Sequence, residues 1–304
     1  MRLLRQISPW AWNERVDQWL RMVFGRSLEM IHLHDILGMK ISDYELERRR
    51  IETLFQRTEF YVPDGFGERL TTYKDLAETP FFSSRLRGTT ISISDFIERC
   101  APHWKKPSLE GLLLYCEVIF NIVSSCESEL CHLTQANKVS MQIIENILRV
   151  TDKLGYDIRK DENDLYFVAK KDALAAEVIQ EIDDKAVSLA ILEYNRFSLK
   201  GDLTRKKELL GIMAHAVEPL VKEPSLRSKC PEVFDDIKFG LNNLNIRHNN
   251  VQGANQKSAL LSLSSDSLEN LYDSLYSSIL ILLRIAQNQK GHTAMDKMKK
   301  AMKQ

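Results

Sequence analysis

The feature that most restricts the fold of this chain is an apolar stripe close to its C-terminal end. Leu268, Leu271, Tyr272, Leu275, Ile279, Leu282, Leu283 and Ala286 recur at helical spacing behind Ser265-Asp266, a pair suited to starting a helix. A stripe this wide has to bury against other helices, so a bundle is expected around a last helix that runs to about Gln287. Candidates for its partners lie upstream. Ser108 follows Pro107 and can cap a helix over 109–125, apolar through Leu112, Leu113, Leu114, Val118, Ile119, Ile122 and Val123. A helix over 139–154 carries Ile143, Ile144, Ile147 and Leu148 on one face, with Gly155 as its C-cap. Asp172 caps a long helix to about Tyr194, Gly201-Asp202 precedes a helix over 203–222, and another covers 232–244 before a polar loop at 249–264.

Two short β-rich runs, 156–159 and 165–168, flank the polar segment 160–164 and predict a small hairpin. The first ninety residues are less regular. Helices are expected over 10–24 and 26–37, and Ser42-Asp43-Tyr44-Glu45 has capping-box spacing for a charged helix to about Gln56. Residues 60–90 lose periodicity, carry Pro63, Gly65, Gly67, Pro80 and Gly88, and read as a long loop or a linker. Ser94 can cap a short helix over 95–101. The expected fold class is mainly α: a helical bundle over 91–290 with one small β-hairpin, an irregular helical N-terminal region over 1–90, and a basic flexible tail over 291–304.

Composition narrows the class of protein. Of 304 residues, 44% are apolar and 28% charged, the balance of a folded globular chain. Lys+Arg and Asp+Glu are both 42, so a nucleic-acid site would have to be a local patch. The odd count of cysteines suits reduced thiols, and residues 1–9 lack the apolar core of a signal peptide. The longest strongly apolar run, Ile279-Leu280-Ile281-Leu282-Leu283, is far too short to span a bilayer. A cytoplasmic protein with no membrane partner is expected.

Chemistry concentrates in Asn242-Asn243-Leu244-Asn245-Ile246-Arg247-His248-Asn249-Asn250, which joins one cation, one imidazole and a run of amides at the end of the 232–244 helix. Two readings of it stand open. In one, Arg247 and His248 interact with the negative pole of the helix and the Asn side chains satisfy loose backbone groups. In the other, Arg247 binds a phosphate through its forked donors, His248 serves as base or acid, and Asn245, Asn249 and Asn250 orient the phosphate or a base edge. A second candidate is 195–207, where Arg196, Lys200, Arg205, Lys206 and Lys207 gather near a helix start. It is either a phosphate-contacting edge, with Arg205 and Lys206 foremost, or a solvated basic face. His32-Leu33-His34-Asp35 and Cys126 with Cys131-His132 lack metal-site spacing, so no metal or cofactor is expected. Trp10, Trp12 and Trp19 suit core packing or a surface for a partner protein.

With these residues in view, the last two helices and the segment Leu244-Asn245-Ile246-Arg247-His248-Asn249-Asn250 resemble the HEPN superfamily, and most of all the branch at the C-terminus of bacterial abortive-infection proteins. The resemblance covers residues 170–290, with a weaker echo from 91. It implies a helical bundle, a homodimer, RNA as partner and metal-independent endoribonuclease chemistry. In that chemistry Arg247 and His248 would be the catalytic residues, a base would activate a ribose 2′-OH, and Arg247 would stabilise the phosphate charge. The family pattern also has a histidine at the head of the last helix. None stands near residues 252–255, and the next is His292. The resemblance therefore implies either an endoribonuclease with His248 as base or an RNA-binding unit of antiviral defence. The alternative is a non-enzymatic helical dimerisation or interaction protein.

Overall fold

The computed structural model describes residues 40–104, 106–247 and 258–302. The chain divides into two compact units, Met1–Ser42 and Asp43–Gln304. The helices expected over 10–24 and 26–37, with their tryptophans, lie outside the described residues.

The second unit is mainly α. Helix α1 (Tyr44–Glu52) is capped by Asp43, whose carboxylate accepts the Leu46 N–H, and one wider turn carries the helix on to Arg57. The segment expected to be a loop or linker is instead built into the fold. Strands β1 (Glu59–Pro63) and β2 (Glu68–Thr72) pair antiparallel around a turn containing Gly65 and Gly67, both at positive φ. Helix α2 (Tyr73–Ser83) follows, capped by Thr72. The reason is visible in β1, where Phe60 and Val62 point inward between exposed neighbours, an alternation too short to stand out beside the glycines.

Helix α3 (Ile93–Cys100) is capped by Ser92 rather than Ser94. Helix α4 (Leu109–Leu130), capped by Ser108, is the buried centre of this half and packs against α1, α2 and α5 (Thr134–Lys153). By length and composition α4 could cross a membrane, and it is the one such helix among the described residues; most of its apolar window is buried in the fold. After Gly155, at φ 82°, strands β3 (Tyr156–Lys160) and β4 (Tyr166–Lys170) form the expected hairpin.

The segment read as one helix from Asp172 to Tyr194 is two: α6 (Ala173–Glu181), capped by Asp172, and α7 (Lys185–Tyr194), capped by Asp184. Asp184 accepts the Ala186 and Val187 N–H groups, and that competition with the helix interior breaks the run. Helices α8 (Leu203–Val221), α9 (Pro231–Asn243) and α10 (Ser265–Ala301) complete the bundle. Helix α10 continues well past Gln287, through the stretch expected to be a tail.

The apolar stripe of α10 is buried as expected. Tyr272, Leu275, Ile279, Leu282 and Leu283 join Leu209, Met213 and Val217 of α8 and Phe234, Ile237 and Leu241 of α9 in one core. Helix α9 approaches α10 closely at Gly240, where a methyl group would stand 2.8 Å from Leu275 Cδ1.

Candidate functional site

The turn after α9 is shaped by backbone geometry. The Leu244 N–H donates to Gly240 C=O, and Asn245 then adopts a left-handed conformation at φ 61°, which asparagine tolerates better than most residues. The Arg247 N–H returns to Leu241 C=O, and the Tyr272 hydroxyl of α10 donates to Leu244 C=O. With Leu244 buried and Ile246 against the core, the turn delivers Arg247 to the surface.

The Arg247 side chain is 40% exposed, and its Nε lies 3.0 Å from Glu218 Oε1 on α8. The guanidinium thus answers a carboxylate on a neighbouring helix, while backbone groups close the end of α9. Asn245 has a structural part in that turn. His248, Asn249 and Asn250 lie outside the described residues.

The second candidate segment corrects a sequence expectation. Lys206 does not sit on an exposed basic edge: it is 5% exposed, and its ammonium is held between Glu269 (2.8 Å) and Asp273 (2.6 Å) of α10. It also lies 5.3 Å from the centre of the Tyr194 ring. Arg205 engages both carboxylate oxygens of Glu193 (2.7 and 2.8 Å) and one of Glu208 (2.8 Å), and these bonds raise its already high pKa. Arg196 pairs with Asp161 at 3.2 Å and stacks 3.9 Å over Phe167, and Lys200 pairs with Glu110 at 2.7 Å. These four cations, which read as a phosphate-contacting edge or a solvated basic face, each have a carboxylate.

What the segment builds is the floor of a cleft between the start of α6, the α7–α8 connection and α10. Tyr194 donates to Asp273 Oδ1 at 2.9 Å and stacks on Tyr276 with ring centres 4.2 Å apart. Burial pushes both phenols up in pKa, so they act as neutral donors. Burial also pushes the Glu269 carboxyl up, but Lys206 and the Gly201 N–H outweigh it and hold the group below the usual carboxylate range. Glu269, Asp273, Tyr194 and Tyr276 were missed in the sequence. The only local signal was their spacing: two carboxylates four residues apart, interleaved with tyrosines beside the apolar stripe. No family model, no curated protein and no solved structure matches the chain.

Proposed function

We propose that this chain is an abortive-infection-type defence protein whose α9–α10 unit is HEPN-like and acts on RNA in the cytoplasm. One observation carries the reading. Arg247 is the half-exposed cation at the turn after α9, held on a fixed backbone and answered among the described residues by one carboxylate, which a phosphate could replace. In this reading Arg247 binds the scissile phosphate and His248 takes the proton of the ribose 2′-OH. The 2′-oxygen then bonds to phosphorus as the 5′-oxygen leaves, without a metal. Single-stranded or looped RNA is the substrate, because a duplex rarely offers in-line geometry, and a homodimer is the working form.

The test is induction in cells of the wild type beside Arg247→Ala and His248→Ala. Growth arrest with RNA fragmentation that both substitutions abolish supports an endoribonuclease; toxicity unchanged by either removes this site. A second reading, a non-enzymatic helical interaction protein, is favoured by the Glu218 carboxylate that already neutralises Arg247. It expects no RNA fragmentation from any variant and a dimer that survives Arg247→Ala.

A further inference from the structure

The cleft floored by Lys206 has no part in the RNA reading. Its volume is about 760 Å³, within the range of small-molecule sites. Its charges are sorted by depth. Lys206 and Glu269 lie at the bottom, with side chains 7% and 15% exposed, and Asp273 above them is 49% exposed. Two carboxylates around one ammonium leave the floor net negative. Asp273 Oδ1 accepts from both Lys206 and Tyr194, while Oδ2 accepts no hydrogen bond among the described residues. At the mouth both signs are present, Asp172 standing beside Lys170. Lys170 is exposed and forms no ion pair among the described residues, whereas Lys171 and Lys200 beside it are tied to Asp152 and Glu110. Tyr156 and Phe197, both partly exposed, line the cleft as well.

A lone anion would meet the negative floor, while Lys170 at the mouth is open to a carboxylate. We propose that this cleft binds a zwitterion with well-separated charges, of the basic amino-acid type. A guanidinium or ammonium head lies against Asp273 Oδ2, a carboxylate lies at Lys170, and the connecting methylenes rest on Tyr156 and Phe197. Such a group is either a free amino acid or the last residue of a peptide.

Calorimetric titration of the full chain tests this with L-arginine, agmatine (the same guanidinium without the carboxylate), Gly-Gly-Arg and inorganic phosphate. Arginine or the tripeptide binds saturably, and agmatine binds about tenfold more weakly, the worth of one charged hydrogen bond. Lys170→Gln, a surface change, brings arginine down to the level of agmatine and leaves agmatine unchanged. Asp273→Asn abolishes binding of both; if that variant does not fold, Lys170→Gln still decides. Arg247→Ala binds as the wild type does, which separates this site from the RNA reading. Tighter binding of the tripeptide than of arginine identifies a peptide terminus, and weaker binding a free amino acid. Absence of saturable binding, equal affinity for arginine and agmatine, or displacement of arginine by phosphate overturns the proposal.

Discussion

Two anions compete for Arg247 if RNA binds at this turn: Glu218, 3.0 Å away, and the incoming phosphate. An ion pair this exposed is worth about 0.2–1 kcal/mol, so releasing it raises affinity by at most about fivefold. Glu218→Gln is therefore expected to tighten binding of a single-stranded RNA by a few-fold in fluorescence anisotropy, and Arg247→Ala to weaken it. An affinity indifferent to Arg247→Ala removes Arg247 from the phosphate contact. Asn245 is a separate matter, because its contribution begins with its backbone. At φ 61° an alanine carries a steric cost of about 1–2 kcal/mol that asparagine and glycine largely avoid. Asn245→Ala should lower unfolding stability by on the order of 1 kcal/mol more than Asn245→Gly does. Equal stability of the two variants would show that the turn does not depend on the left-handed residue.

Helices α8 and α10 are joined by more than apolar contact. Lys206 reaches across to Glu269 and Asp273, and its removal leaves a nearly buried carboxylate without its cation. Lys206→Met is expected to cost about 3 kcal/mol in urea unfolding at neutral pH, the low end for breaking a buried pair because Asp273 is half exposed. The pH dependence has a definite sign. The folded pKa of Glu269 is depressed, so its contribution is present above the unfolded carboxylate value of about 4.3 and is lost as pH falls through the lower folded value. Without Lys206 only the Gly201 N–H and Lys200 remain to oppose the burial that pushes Glu269 up, so less is lost on protonation. The deficit of Lys206→Met should therefore be largest near neutrality and shrink below about pH 4. A deficit independent of pH would mean that packing, not charge, accounts for the loss.

At the scale of the whole molecule, what was legible in the sequence was what is local. The stripe of α10, the caps at Ser108 and Asp172, and the stop at Gly155 depend on neighbours a few residues away, and each stands where expected. The β1–β2 hairpin was hidden because Pro63, Gly65 and Gly67 read as loop punctuation. Lys206 was misplaced because the carboxylates that bury it come more than sixty residues later. Equally illegible was the junction that joins α4 to the rest. Strand β4 has one edge left free by β3, and α4 fills it with side chains. Asn121 accepts the Tyr166 N–H (2.8 Å) and donates to Tyr166 C=O (2.7 Å), and Glu117 accepts the Val168 N–H (2.8 Å). Further along, the Lys170 N–H donates to Asn195 C=O at 2.8 Å, which carries the same edge on to the end of α7. Burial pushes the Glu117 carboxyl above its usual value, against the pull of the Val168 N–H and Arg196. A folded pKa raised in this way contributes stability that is present below the unfolded value and lost as pH rises through the folded one. Glutamine keeps an acceptor for Val168 without a charge to desolvate. Thermal unfolding of Glu117→Gln should therefore match the wild type at pH 7 or exceed it by on the order of 1 kcal/mol, and lose that advantage near pH 4. A variant clearly less stable than wild type at pH 7 would mean that the ionised carboxylate is what holds β4 on α4.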